Sequence, residues 1–415
     1  MQSDISRIPS LFPVKAARVN EAPVNPFAVT CQIQITKKAL QRIRQGHLWI
    51  YEGELQRECD NSAQPIVRVM DPANNTLGYA FYSRSSRIRM RLFSRGPEPP
   101  SLELIQSRIR NCIKRRNHLL GKASACRLVF AEADLLPGII VDRYGDYLVI
   151  QTLTSGAEAM KSMLVDMLME ELHPAGILER NDVKARRLEG LEEVRGVLRG
   201  TVPDEIELVE DETRFFVDLL HGQKTGFFLD QRENRIAAKN YASGQALDCF
   251  CNTGGFAMHF ARRCDSVLAV DISSDSISLA KRNRDLNGFQ NVDFTEANVF
   301  DLLRAMESAG RSFDTICLDP PAFAKNRKAL PGARSGYKEI NLRALKLLKP
   351  EGILITSSCS YHMSESDFFD LICEAARDCH RLIQVVERRG QASDHPVLAA
   401  MPETRYLKCF FVRAL

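Results

Sequence analysis

Three stretches in the second half of the chain carry residue types that could do chemistry, and each closes a short apolar run. The first is Gln245 to Asp271, QALDCFCNTGGFAMHFARRCDSVLAVD. Ala246, Leu247, Cys249 and Phe250 suit a strand. Asn252, Thr253, Gly254 and Gly255 suit a turn, and Phe256 to Arg263 continues at helical spacing. A second apolar run, Ser266 to Val270, ends at Asp271. Glycines let a backbone pass close to a ligand, and an acid ending the second strand can accept hydrogen bonds from both hydroxyls of a ribose. Asp248, Asn252, Thr253, Gly254, Gly255 and Asp271 are therefore candidate binding residues for an adenosine-type cofactor. The turn lacks the G-x-G-x-x-G spacing of a pyrophosphate site, which argues against a nicotinamide oxidoreductase. S-adenosylmethionine (SAM) fits better; a purely structural turn is the alternative.

The second stretch is Asp319-Pro320-Pro321, at the end of an apolar run from Phe313 to Leu318. The third is Ser357-Ser358-Cys359-Ser360-Tyr361-His362, following the run Gly352 to Thr356. A cysteine at the polar end of a strand is a candidate nucleophile. Carbon 5 of a pyrimidine is too electron-poor to take a methyl group from SAM unless a thiolate first adds at carbon 6, so Cys359 and SAM together suggest cytosine C5 methylation. Asp319 would then hydrogen-bond the ring nitrogen or the exocyclic amine as charge develops. A free thiol titrates at about 8.5, and His362 and Lys325 are candidates for favouring the thiolate, although His362 serves equally as a structural residue. An acid followed by Pro-Pro and an aromatic also holds amino groups in N-methyltransferases; here Ala322 separates the prolines from Phe323.

These residues need a scaffold. Strands expected at 246–250, 266–270, 292–295, 313–318 and 352–356 alternate with helices at 255–263, 274–287, 299–308, 338–348 and 364–378. Right-handed crossovers make such a series a parallel, Rossmann-like sheet whose ligand crevice lies at its carboxyl edge, where the turn, Asp271 and Asp319 all fall. A hairpin at 206–208 and 214–218 and the glycine-bearing segment Gly222 to Arg232 precede it, the latter well placed to cover the crevice. Four regions are expected: a flexible extension over 1–30, a small β-rich domain over 31–98, an α+β domain over 99–205 and the α/β domain over 206–415.

The net charge is only +4, yet residues 31 to 96 hold 11 Lys and Arg against 5 Asp and Glu. That local excess points to a polyanion such as RNA. Arg87, Arg89 and Arg91 alternate with Ile88, Met90 and Leu92, so three cations should share one face of a strand, as an RNA contact or simply as a solvated face. Trp49 reads as core. A basic helix, Leu104 to Leu120, opens the α+β domain, and Arg180-Asn181-Asp182 reads as a structural turn. The 12 cysteines lack paired spacing, Cys249-x-Cys251 does not suit zinc, and no metal site is expected. With neither a run of 18 apolar residues nor a signal-peptide core, a reduced, cytoplasmic protein away from membranes is expected.

GHLWIYEGEL, LPGIIVDRYGDYLVIQ, GQKTGFFLDQRENR, LDCFCNTGGFA, LDPPAFAK, SSCSYHMS and SDHPVLAAMPETRYLK together resemble the bacterial SAM-dependent 23S rRNA 5-methylcytosine methyltransferases of the RlmI type. The resemblance covers residues 31 to 415. It implies an RNA-binding PUA domain at the N-terminal side, a central domain, and a class I methyltransferase domain. It further implies SAM contacts from Gln231, the Asn252–Gly255 turn, Asp271 and Asp319, Cys359 as the catalytic nucleophile, and 23S rRNA or a ribosomal particle as partner; it would also allow a homodimer. Two positions depart from the pattern. Asn298 stands where an Asp usually holds the adenine amine, and Leu135 stands where glycine is common in a central-domain turn. The rival readings are an amino-group methyltransferase working through Asp319-Pro320-Pro321 and a non-catalytic RNA-binding assembly factor.

Overall fold

The computed structural model describes residues 27, 29, 31–57, 65–119, 124–324 and 326–415. The extension expected over 1–30 lies almost wholly outside them, as does Lys325. Among the described residues, three sheets and a hairpin follow in chain order. The first sheet comprises β1 (Gln32–Ile35), β2 (Trp49–Tyr51), β3 (Leu55–Arg57), β4 (Ile66–Met70), β5 (Thr76–Tyr82) and β6 (Ile88–Arg95), in the order β2-β6-β5-β4-β1-β3. The second comprises β7 (Ala125–Phe130), β8 (Ile139–Tyr144), β9 (Tyr147–Thr152), β10 (Gly176–Asn181) and β11 (Val194–Gly200), in the order β11-β10-β9-β8-β7. A hairpin of β12 (Glu205–Glu210) and β13 (Thr213–Asp218) leads to the third.

The third sheet holds β14 (Gln245–Cys249), β15 (Ser266–Asp271), β16 (Val292–Glu296), β17 (Phe313–Leu318), β18 (Leu348–Ser358), β19 (Ile383–Arg389) and β20 (Lys408–Ala414), ordered β16-β15-β14-β17-β18-β20-β19. The five expected strands pair in parallel, but β20 runs antiparallel to both β18 and β19, so the sheet is mixed. The chain moves outward from β14 through β15 to β16, then returns to β17 on the other side. The gap between the ends of β14 and β17 is thus a topological switch point, where open α/β sheets bind ligands. Strand β14 is apolar because helices cover both faces: Leu247 and Cys249 pack on one side, Ala246 on the other.

The residues between β19 and β20 bind the sheets together. The Asp394 carboxylate is fully buried; Oδ2 accepts hydrogen bonds from the Arg127 amide (3.0 Å) and Arg232 Nη1 (2.9 Å), and Oδ1 meets His395 Nδ1 at 2.8 Å. Arg116, also buried, donates to the Asp394 carbonyl at 3.0 Å while forking onto Asp134 at 2.9 and 2.6 Å. Further along, the Leu48 amide donates to Met401 Sδ, and His47 lies 3.4 Å from Glu403. One segment thereby touches the first sheet, the second sheet and the helix that begins at Arg232.

Several expectations change. Arg91 is buried, 2.8 Å from Glu189 and 3.6 Å from Glu132, and Arg89 pairs with Glu52, so the three-arginine face is not a free row of cations. Trp49 is half-buried rather than core, with its indole N–H donating to Glu132 at 2.9 Å. Arg180 and Asn181 end β10 rather than form a turn, and Arg180 donates to the carbonyls of Leu219 and Gly222. Before β10 the chain forms two short helices, Ser155–Ala159 and Lys161–Leu172, that meet at Met160. Leu135 keeps the left-handed turn (φ 60°) in which glycine costs least. Among the described cysteines all are free thiols except Cys31, which is disulfide-bonded.

Removing Asp394 leaves the Arg232 guanidinium and the Arg127 amide buried without their acceptor. Asp394→Ala is expected to destabilise the fold by about 3–5 kcal/mol, read as an earlier denaturation midpoint in urea; a midpoint equal to wild type would show that the junction is not held there.

Candidate functional site

After β14 the backbone enters the left-handed region at alternate residues, Phe250 (φ 63°), Asn252 (φ 48°) and Gly254 (φ 85°). Two of the three are not glycine, and such conformations persist only where surrounding contacts impose them. Here the Asn252 amide donates to Asp271 Oδ2 (2.9 Å), the Cys251 amide to the Val270 carbonyl (2.9 Å) and Asn283 to the Thr253 carbonyl (2.9 Å). The loop is clamped to the end of β15. Beneath it Arg235 makes a bidentate pair with Glu210 (2.7 and 2.6 Å), and a Cβ on Gly255 would lie 3.0 Å from the Arg235 Cδ, so glycine is needed for close approach.

The loop borders a cavity of about 700 Å³ at the carboxyl edge of the third sheet. Gln231, Asn252, Thr253, Gly255, Asp271, Asn298, Asp319 and Cys359 all line it. Two of the expected cofactor residues do not. Asp248 is fully buried under the loop, where Oδ2 accepts the Ala257 amide at 2.9 Å and so anchors the helix Gly255–Phe260. Gly254 turns inward; a Cβ there would meet Met258 at 3.1 Å. Asn298 caps the helix Val299–Ser308, with Oδ1 accepting the Phe300 amide at 2.9 Å, so its carbonyl already serves the backbone.

The cavity has two chemically different ends. One is formed by Asp271, whose oxygens each accept a backbone amide (Asn252 and Ser273) and keep lone pairs free, beside the apolar side chains of Phe250, Ile272, Val299 and Phe300. An aromatic ring with a diol attached suits this end. The volume lies within the roughly 300–1,000 Å³ of small-molecule and cofactor sites. The residues present therefore fit SAM, with Asp271 toward the ribose and the apolar walls around the adenine.

At the other end sit Asp319, Cys359, Lys224, Asp230 and Tyr406. Gln231 Nε2 donates to Asp319 Oδ1 at 2.7 Å and is itself oriented by Asn234 at 2.6 Å. Burial raises the Asp319 carboxyl to about 6, against the opposing pull of the Gln231 hydrogen bond. Cys359 Sγ lies 3.9 Å from the Pro320 carbonyl. Burial and then the Asp319 carboxylate push the Cys359 thiol up to about 11, while Lys224 and Lys408 pull it down. The cations acting on the sulfur are thus Lys224 and Lys408 rather than His362, whose ring rests against Tyr361. Burial lowers Lys408 to about 8, and its Nζ donates to the Ser360 and Tyr406 carbonyls at 2.7 and 2.9 Å. Lys224 and Tyr406 fall in GQKTGFFLDQR and PETRYLK, runs conspicuous in the sequence whose individual roles spacing did not reveal.

Because the Asp319 charge raises the thiol and the Lys224 charge lowers it, Asp319→Asn is expected to speed alkylation of Cys359 by iodoacetamide at pH 9 and Lys224→Met to slow it. Mass mapping of the Cys359 peptide checks this; the same rate in all three proteins would contradict the electrostatic account.

A family model described as a methyltransferase domain matches residues 242–400, and one described as a PUA-like domain matches residues 33–95. A SAM-dependent methyltransferase structure from Streptococcus mutans superposes with a TM-score of 0.79 at 20% identity, covering 92% of this chain and 100% of that one, which shows a shared fold. The protein named ribosomal RNA large subunit methyltransferase I from Tolumonas auensis is 39% identical over 393 residues, covering 92% of this chain and 99% of its own length. Its namesake from Escherichia coli O139:H28 is 36% identical over 396 residues, covering 93% and 100%. With this level of identity over more than nine-tenths of the chain and nearly the whole of each relative, and with matches to a PUA-like and a methyltransferase domain model, the chain belongs to the ribosomal RNA large subunit methyltransferase I family.

Proposed function

We propose that this protein methylates carbon 5 of a cytosine in large-subunit ribosomal RNA, with SAM as donor and Cys359 as nucleophile. The observation that carries the reading is the placement of Cys359 and Asp319 at one end of a single cavity whose other end suits an adenosine group. SAM supplies an electrophilic methyl group. The chain's own residues must make carbon 5 nucleophilic.

Cys359 does so by losing its proton and forming a bond from sulfur to carbon 6, which shifts the electron pair of the 5,6 double bond onto carbon 5. After methylation, loss of the carbon 5 proton and cleavage of the sulfur–carbon bond restore the double bond and the free thiolate. Asp319, oriented by Gln231, faces the polar edge of the base and steadies the charge that spreads toward it. A buried thiol at about 11 is protonated in the resting protein, so addition requires the substrate complex to alter the field around it. Gln231, Asn252, Thr253, Gly255, Asp271 and Asn298 are assigned to the cofactor. The PUA-like region supplies RNA affinity, and the target base must leave its stack to reach the cavity.

Mass spectrometry of 23S rRNA from a deletion strain, complemented with wild-type or Cys359→Ala protein, tests the reading. One 5-methylcytosine is expected to vanish on deletion and to return with wild type alone, while isothermal titration shows the variant still binding SAM. Methylation of an amino group that survives Cys359→Ala would overturn it in favour of an N-methyltransferase.

A further inference from the structure

Asp230 takes no part in the steps proposed for Cys359 and Asp319, yet it lines the same cavity as Cys359 and is 2% exposed. Its Oδ2 is held from two distant parts of the chain, by Lys224 Nζ at 2.6 Å and by the Tyr406 hydroxyl at 2.7 Å. Its Oδ1 is buried and has no hydrogen-bond partner among the described residues. The backbone is fixed too, since the Ala392 amide donates to the Asp230 carbonyl at 2.8 Å. Lys224 in turn rests over the Phe228 ring, 4.4 Å from its centroid. A carboxylate so clamped on one oxygen and bare on the other is an acceptor waiting for a donor.

We propose that Asp230, clamped by Lys224 and Tyr406, accepts a hydrogen bond from the exocyclic amine of the target base and so selects cytosine over uracil. The inference rests on the cytosine C5 reading. Burial alone would raise Asp230, but Lys224 and His395 hold it well below the ordinary carboxylate range, so it presents an acceptor and never a proton. Cytosine offers an amine at carbon 4 where uracil offers a carbonyl oxygen. An anionic acceptor therefore welcomes the first and repels the second. SAM also carries an amino group, but Asp230 acts electrostatically on Cys359 and Asp319, which places it at the nucleophile's end of the cavity. The same placement couples recognition to reactivity: a donor drawn onto Asp230 or Asp319 offsets the negative charge that, after burial, raises the thiol.

The clamp makes the substitution informative. In Asp230→Asn the amide carbonyl must stay with Lys224, which can only donate, so the amide NH2 takes the place of Oδ1. A donor then faces the cytosine amine and suits the uracil oxygen. The test uses two transcripts of the rRNA region around the modified nucleotide, one with cytidine and one with uridine at that position, together with calorimetric titration of SAM alone. Asp230→Asn is expected to lower kcat/KM on the cytidine transcript by about 10- to 100-fold, to reduce the cytidine-to-uridine ratio by at least about 10-fold, and to leave SAM affinity within about threefold. Tyr406→Phe, which keeps the ring and removes one clamp, is expected to lower the ratio less, and serves if the first variant does not fold. An unchanged ratio in the presence of wild-type 5-methylcytosine formation would overturn the role of Asp230 alone, as would a loss of SAM affinity matching the loss of rate. Absence of 5-methylcytosine with the wild-type enzyme would overturn the underlying reading and this proposal with it.

Discussion

The buried carboxylate of Asp394 is the contact on which the arrangement of the molecule depends. It binds the Arg127 amide of the second sheet and the Arg232 guanidinium at the start of the helix below the cavity, while its carbonyl receives Arg116. Charges removed from water are costly unless each finds a partner, and here every one does. The geometry this enforces extends outward in both directions. Tyr406, a few residues on, is delivered to Asp230 in the cavity, and Met401 and Glu403 are delivered to the first sheet. One segment thus contributes both to domain placement and to assembly of the site.

The site itself balances two opposing demands. Excluding water from Cys359 and Asp319 strengthens every later interaction with a base, but it also favours their neutral forms, so the sulfur rests as a thiol. Lys224 and Lys408 offset part of that penalty without removing it. In the proposed mechanism, a thiol kept protonated until a substrate rearranges the local field is protected from adventitious alkylation and oxidation. The end proposed for the cofactor has no such tension, since Asp271 is satisfied by backbone amides and remains open to a diol.

Positive charge near the N-terminal side is used more for assembly than its abundance suggests. Arg91 and Arg116 are buried in ion pairs, and Trp49 gives its indole N–H to Glu132. Glu132 thereby meets both Trp49 and Arg91, tying the first sheet to the second. The arginines that would have formed a continuous cationic face are divided between this joint and the surface, and RNA affinity must come from what remains exposed.

Local order along the chain was legible in the residues. The strand, turn and helix around Gly255, the acid ending β15, the Asp319 loop and the position of Cys359 at the end of β18 all follow from apolar runs and turn residues, because backbone conformation and burial pattern are set over a few positions. What only tertiary structure decided was which side chains meet. Asp248 shares its strand with the turn, yet packing directs it beneath the helix instead of into the cavity. Lys224 and Asp230, six residues apart, meet Tyr406 beside Cys359 although 176 positions separate Asp230 from Tyr406, and Tyr406 arrives just before the antiparallel return of β20 that no periodicity announces. Short-range physics fixes elements; the approach of distant groups depends on sheet order and buried charge, which no window of sequence contains.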